Sequence, residues 1–306
     1  MSRPRLPAPA PAQAQGQPQR PATLSLYRPP ELLQDIQLLD LLELCGSAVQ
    51  TSRVLRLSQP TISRRYHCLA RDFDLVRHRR HLWGCEYGTS AALRLLRLAY
   101  RAHRLAAGVA RLGSDLLHHP LLAGCPWVLP TPQRFRAAAK WLELVRQGVL
   151  DGALVSGLEL EGAMELNLQE LALVHLGELP LALGFCPEAP GRVPPGPGGP
   201  MPEVLVPARG LAPGLRRLLR ELGLTLRHGG NSLRTPEDWI GRIQGSSLAV
   251  VMADQETDTW ASLQRWPLPS RPHSPVWLAL PADWQEQPLL RQIARELRPV
   301  AARQPR

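Results

Sequence analysis

The stretch from Gly46 to Leu69, GSAVQTSRVLRLSQPTISRRYHCL, constrains the fold more than any other part of this chain. It reads as two short helices with a break between them. Ser47 is placed to cap the first, because its hydroxyl can accept from the unpaired N–H groups of a first helical turn. Val49, Val54 and Leu55 give that helix an apolar side, with Arg53 and Arg56 beside it. Ser58 can cap the second helix, and Pro60 falls just inside its start, where a missing N–H costs little. Ile62, Tyr66, Leu69 and Phe73 then recur at helical spacing and mark one face. The other face carries Gln59, Thr61, Ser63, Arg64 and Arg65. Two short helices, a tight turn and a basic, hydroxyl-rich second helix describe a helix-turn-helix.

The charge distribution agrees with a polyanionic partner. The net charge is +10, and residues 1–104 hold 16 Arg against 7 acids, while the remaining two thirds are almost neutral. The basic excess therefore sits with the helix-turn-helix. From a helix in the major groove, Gln59 can pair bidentately with adenine and Arg64 with guanine. Ser58, Thr61, Ser63 and Arg65 are in reach of phosphates or bases, and the expected partner is double-stranded DNA. Five scattered cysteines without a CxxC pair argue against a disulfide framework or zinc ribbon and fit a reducing, cytoplasmic setting. No apolar run reaches membrane-span length, and the N-terminus lacks a signal-peptide pattern, so no membrane is expected as a partner.

The same residues carry a family resemblance. Gly46 and Ser47, ten further residues, then SQPTISR, together with Leu55 and Leu69, resemble the DNA-binding domain of LysR-type transcriptional regulators without a gap. Thr51 and Ser52 stand where that family usually has two alanines, and Leu75-Val76-Arg77 replaces a slightly longer Leu-Phe-x-Arg segment. The resemblance implies a winged helix-turn-helix, a linker helix, and a C-terminal two-lobed α/β domain like a periplasmic binding protein. It also implies that Gln59, Pro60, Ser63 and Arg64 lie at the DNA face, that a small effector binds between the lobes, and that the chain works as a homodimer or homotetramer.

Taken in order, residues 1–30 are rich in Pro, Ala and Gln and read as a disordered tail. Residues 31–45 read as an amphipathic helix with Leu32, Ile36 and Leu39 in one stripe. Residues 31–88 would be the DNA-binding domain. Its wing would span 74–88, with Arg77, Arg79 and Arg80 along the phosphates; a solvated loop is the alternative. Residues 89–104 read as the linker helix, with Leu93 and Leu96 on one side, widened by Leu95 and Leu98, and Arg94, Arg97, Arg101 and Arg104 on another. The apolar side would meet its copy in a dimer, or else pack on its own domain.

From about 105 to 300, strands and helices alternate. Strands are expected at 109–112, 127–130, 152–156, 171–177, 180–185, 203–207, 224–229, 246–253 and 276–280. Helices are expected at 131–147, 211–222, 235–244 and 287–299, with 301–306 as a tail. The Pro/Gly-rich run 187–202 reads as a loop.

No catalytic constellation is visible. There is no Walker or dinucleotide fingerprint and no Gly-x-Ser-x-Gly elbow, so neither enzyme activity nor a cofactor is expected. His118 and His119 beside Asp115 read as an exposed helix end rather than a metal site. Helix N-termini edging the cleft give the candidate effector contacts Ser114, Thr131, Gln133, Asn231, Ser232 and Thr235, each of which can equally be a simple cap. The leading functional expectation is a sequence-specific regulator. The alternative is a DNA-anchored interaction or architectural protein whose C-terminal domain takes no effector.

Overall fold

The computed structural model describes residues 27–301 except 79–83, 116, 123–124, 130, 133, 162–167, 188–200, 209, 231–234, 245, 255–261 and 269. Most of the Pro-rich tail and of the Pro/Gly-rich run therefore lies outside the described residues, as do Arg79 and Arg80 of the expected wing.

Three helices make an N-terminal head: α1 (Glu31–Cys45), α2 (Ala48–Leu55) and α3 (Gln59–Asp72). Gly46 ends α1 in the left-handed conformation, φ 69°, with its N–H on the Leu42 carbonyl at 2.8 Å. Ser47 then opens α2 by accepting from Gln50 N at 3.2 Å. Ser58 opens α3 by accepting from Thr61 N at 3.3 Å. Ile62, Tyr66 and Leu69 of α3 pack on Ile36, Leu39 and Leu42 of α1. Each such leucine or isoleucine contributes roughly 1.5–3 kcal/mol by burial. Thr51, in place of the small alanine, is fully buried. It fits because its hydroxyl donates to the Ser47 carbonyl one turn back, at 2.9 Å.

The α1 helix is not amphipathic. From Leu38 to Cys45 every residue is buried, Asp40 and Glu43 included. One side serves the head, while Leu41 and Leu44 belong to a second core with Trp141, Leu144 and Val145. Shared between two cores, the second half of α1 has no solvent face left, while Glu31, Leu32 and Gln34 of its first half are exposed.

The remainder forms two lobes around one long strand. In chain order the strands are β1 (Leu112–Ser114), β2 (Gly152–Ser156), β3 (Leu171–Phe185), β4 (Val204–Val206), β5 (Leu226–His228), β6 (Ala249–Ala253), β7 (Gln264–Pro267) and β8 (His273–Pro281). Their order is β1-β2-β8-β3-β6-β4-β5, with β7 also on β3. The first half of β3 pairs antiparallel with β8 in lobe 1; its second half, from Leu181, pairs with β6 and β7 in lobe 2. A bulge between His175 and Gly177 bends the strand on its way across. The later helices are α4 (Ala91–Ala106), α5 (Ala138–Arg146), α6 (Gly157–Glu161), α7 (Pro213–Glu221), α8 (Pro236–Ile243) and α9 (Pro288–Ala301). The α5 and α9 helices cover opposite faces of the lobe 1 sheet, and α7 and α8 those of lobe 2.

Several boundaries differ from expectation. The two strands expected at 171–177 and 180–185 are one, because Pro180 falls at the passage between lobes, where it interrupts neither sheet. The expected strands at 109–112 and 127–130 meet only in a single Ala110–Val128 bridge, followed by the short β1. The helix expected from 131 begins at Ala138. Around the wing no strand forms among the described residues, although His78 N donates to the Glu86 carbonyl at 2.8 Å.

Head and lobe 1 are joined through buried ion pairs. Asp40 of α1 accepts from Arg97 Nε at 2.8 Å and from Arg111 Nη1 at 2.9 Å. Asp151 accepts from Arg104 Nε at 2.9 Å, Arg104 Nη2 at 2.6 Å and the Arg111 backbone N at 2.7 Å. Arg101 donates to the Val145 and Leu150 carbonyls at 2.6 and 2.8 Å. Most of the expected basic side of α4 is thus interior: Arg97, Arg101 and Arg104 are at most 1% exposed, while Arg94 stays half-exposed and pairs with Glu170. Their long stems let them cross from α4 to acids and carbonyls in both neighbours. Glu43 of α1 accepts from Lys140 Nζ at 2.6 Å and from the N–H groups of Glu86 and Tyr87, each at 2.9 Å.

Burial alone would raise both carboxyls, but the cations override it. Arg104 holds Asp151, and Lys140 holds Glu43, below the ordinary carboxylate range. A depressed folded pKa means the ionised group favours the folded state. This stability is fully present above about pH 4.5, the higher unfolded value, and is lost as pH falls through the folded values. Acidification below pH 4 is expected to release the head from lobe 1, seen as earlier protease cleavage between α3 and α5. Protease resistance unchanged down to pH 2 would contradict it.

Candidate nucleic-acid interface

The α3 helix is held by its apolar face, which turns the rest outward. Gln59, Pro60 and Arg64 are exposed, and Thr61 and Ser63 are half-buried. Ser58 is exposed and doubly engaged, since its hydroxyl caps the helix and lies 2.8 Å from Thr61 Oγ1. Those two hydroxyls fix the first turn of α3. Arg65 differs from its neighbour: its Nε donates to Asp35 Oδ1 of α1 at 2.8 Å, so its guanidinium braces α3 against α1. Arg77 is also tied back, with Nη2 on Glu86 Oε1 at 2.9 Å and on Tyr87 Oη at 3.1 Å, and the guanidinium over the Tyr87 ring. Among the described candidates, Gln59 and Arg64 are therefore the long side chains presented outward, and Arg65 and Arg77 shape the surface around them.

The described effector candidates, Ser114, Thr131 and Thr235, are each engaged within the fold. Ser114 is buried at the end of β1, with Oγ 3.2 Å from His119 Nδ1. Thr131 donates to the Leu112 carbonyl and lies 3.3 Å from that of Leu129, so it serves lobe 1. Thr235 caps α8 in a capping box with Asp238. Gln133, Asn231 and Ser232 lie outside the described residues.

Among the described residues the two lobes pack closely at their boundary. The cavity there is about 20 Å³, closed by Leu117, Phe135, Trp141, Leu211 and Leu215. Its polar wall is paired in part, while Arg136 Nη1 and Trp141 Nε1 of its lining residues are buried without a hydrogen-bond partner among the described residues. Glu159 of α6 reaches across and accepts from Gly214 N at 3.0 Å and Leu215 N at 2.8 Å, the first turn of α7. A helix N-terminus that would receive an anionic ligand is thus filled by this chain's own carboxylate. Gly214 is required there, because a Cβ would stand 1.9 Å from the Leu158 carbonyl oxygen. Beside it, His118 is fully buried rather than exposed as expected. His118 Nδ1 lies 2.6 Å from Asp115 Oδ1, and its Nε2 lies 3.5 Å from Ser274 Oγ, which is 2.7 Å from Ser156 Oγ. These groups satisfy one another where β2 and β8 reach the lobe boundary.

A much larger opening, about 870 Å³, lies elsewhere, where α2 of the head faces Pro132 and Arg134 of lobe 1 and the start of α8 in lobe 2. Arg134 Nη1 donates to the Cys45 carbonyl at 3.1 Å, and Arg136 Nη2 to that of Glu43 at 3.1 Å, so lobe 1 clamps the corner between α1 and α2. Burial and the neighbouring Arg134 lower the Arg136 pKa to about 9. Nothing in the sequence marks this opening, since its walls come from three separate parts of the chain.

No protein-family profile matches the chain, and no curated protein matches it. Solved structures do. The chain is similar to HinK, a LysR family transcriptional regulator from Pseudomonas aeruginosa, at 17% identity and a TM-score of 0.44, over 88% of this chain and 98% of that one. It is similar to a full-length OxyR variant from the same organism at 15% identity and a TM-score of 0.45, over 89% and 96%. A third structure is full-length CbnR complexed with target DNA, at 15% identity and a TM-score of 0.43, over 87% and 99%. Over most of its length this chain is similar to solved full-length structures that include LysR-family transcriptional regulators.

Proposed function

We propose that this chain is a sequence-specific DNA-binding transcriptional regulator of the LysR type, a non-enzymatic protein of the cytoplasm. Residues 31–88 read DNA, 89–104 link and dimerise, and 105–300 receive a small-molecule effector. The observation that carries the reading is α3, whose Ile62, Tyr66 and Leu69 are buried while Gln59 and Arg64 stand outward from a capped first turn. Such a helix can enter a major groove and pair with base edges. The full-length fold likeness to regulators, one of them complexed with DNA, is in keeping with it. The test is a gel shift with a selected duplex in the presence of excess unrelated DNA. A discrete complex that survives the competitor is expected; a smear removed by it would contradict specific reading.

Self-association is expected through α4. Its outward side is apolar: Leu95 is 67% exposed, and Ala92, Ala99, Ala102 and Ala106 flank it at helical spacing. Small residues around one leucine let two helices approach closely. Leu95→Glu is expected to convert the dimer to a monomer in sedimentation while leaving the thermal midpoint within a few degrees. An unchanged sedimentation coefficient would place the dimer contact elsewhere.

The filled interlobe cavity favours a second reading, in which the C-terminal domain takes no effector and only mediates contacts. The two readings differ in whether any small molecule changes the affinity for DNA.

A further inference from the structure

We propose that the crevice between α2 and the start of α8 is an effector site for a small amphipathic zwitterion, of which an apolar α-amino acid is the simplest. This rests on the regulator reading above and gives it a site distinct from the interlobe cleft. The interlobe cavity lined by described residues offers about 20 Å³ and an α7 N-terminus already occupied by Glu159, whereas the crevice offers about 870 Å³. Only the second is large enough to admit an organic ligand without rearranging a packed core.

The chemistry of the walls selects the ligand. The head wall carries Arg53, which is exposed, with Arg134 at its edge. The opposite wall carries Glu237, exposed in the first turn of α8. Val49 and Val54 of the same head wall are 44% and 53% exposed and line the crevice beside Arg53. A carboxylate directed to Arg53, an ammonium directed to Glu237 and an apolar side chain laid on the valines would satisfy all three surfaces.

The position makes the site regulatory. Its head wall is α2, which packs directly on α3. Its other wall is α8 of lobe 2. A zwitterion spanning the crevice ties α2 to lobe 2. It thereby favours one setting of α3 relative to the lobes, which is what a differential affinity for DNA requires.

The experiment uses the full chain. The twenty common α-amino acids are screened singly by isothermal titration, with phenethylamine and 3-phenylpropionate as analogues each lacking one charge. Binding is expected for apolar members, one per chain, with at least about tenfold weaker binding for both analogues and for Arg53→Ala and Glu237→Ala. Leu215→Trp, which further fills the interlobe cavity, is expected to keep the affinity. No binding by any member overturns the proposal, as does binding that survives both crevice substitutions or is removed by Leu215→Trp in a chain whose circular dichroism is unchanged. Because the titration contains no DNA, failure of DNA binding and failure of this site are read separately. With DNA, the bound amino acid is expected to shift the Kd of the wild-type chain and not that of Arg53→Ala.

Discussion

Asp151→Ala is expected to destabilise the chain by about 3–5 kcal/mol, the range for breaking a buried ion pair by removing one partner. The carboxylate is fully buried and accepts from both nitrogens of the Arg104 fork and from the Arg111 backbone. Alanine leaves Arg104, itself fully buried, without a carboxylate partner, keeping the Gly148 carbonyl at 3.5 Å from Nη2 and the Tyr100 ring 4.3 Å from the guanidinium carbon. The loss should appear in urea unfolding as a lower midpoint, with little change in slope if the transition stays two-state. A loss below about 1 kcal/mol would mean that Arg104 finds new partners at little cost. The same junction holds the head against lobe 1, so the variant should also expose α4 to proteolysis.

Arg64→Ala is expected to weaken binding to a specific duplex by about 1–3 kcal/mol, roughly five- to 150-fold, and to relax the preference at one base pair. Arg65→Ala provides the contrast. Its guanidinium is engaged by Asp35, in a pair whose side chains are 36% and 46% exposed. Such a half-exposed pair is worth about 0–1 kcal/mol of stability, and its loss should alter DNA affinity less than loss of Arg64. Equal losses for the two variants would contradict the outward placement of Arg64 alone.

The contrast between these arginines shows where the sequence was informative. Capping and periodicity placed α2 and α3 within a residue, because Ser47, Ser58 and Pro60 act on the backbone next to them. They could not distinguish Arg64 from Arg65, because the Asp35 that separates the two roles is thirty residues away. The same limit hid the interior of α4. Helical spacing put these arginines on one side of α4 without saying what that side meets, and only the fold brings Asp40 and Asp151 to them. Buried His118 was misread for the same reason, its partners coming partly from β8. Strands β4, β5 and β6 of lobe 2 were legible, with ends off by up to three residues where no cap fixes them, while β7 was not read from the sequence. The crevice was invisible, since it belongs to no single segment.

Specific DNA reading by α3 is tested most directly by selecting bound duplexes from a randomised pool with the purified chain and footprinting the winners. Discrete sites with two related half-sites are expected, with their protection lost in Arg64→Ala. Diffuse protection, strongly salt-dependent and indifferent to sequence and to Arg64, would contradict specific reading and leave a basic domain that holds phosphates only.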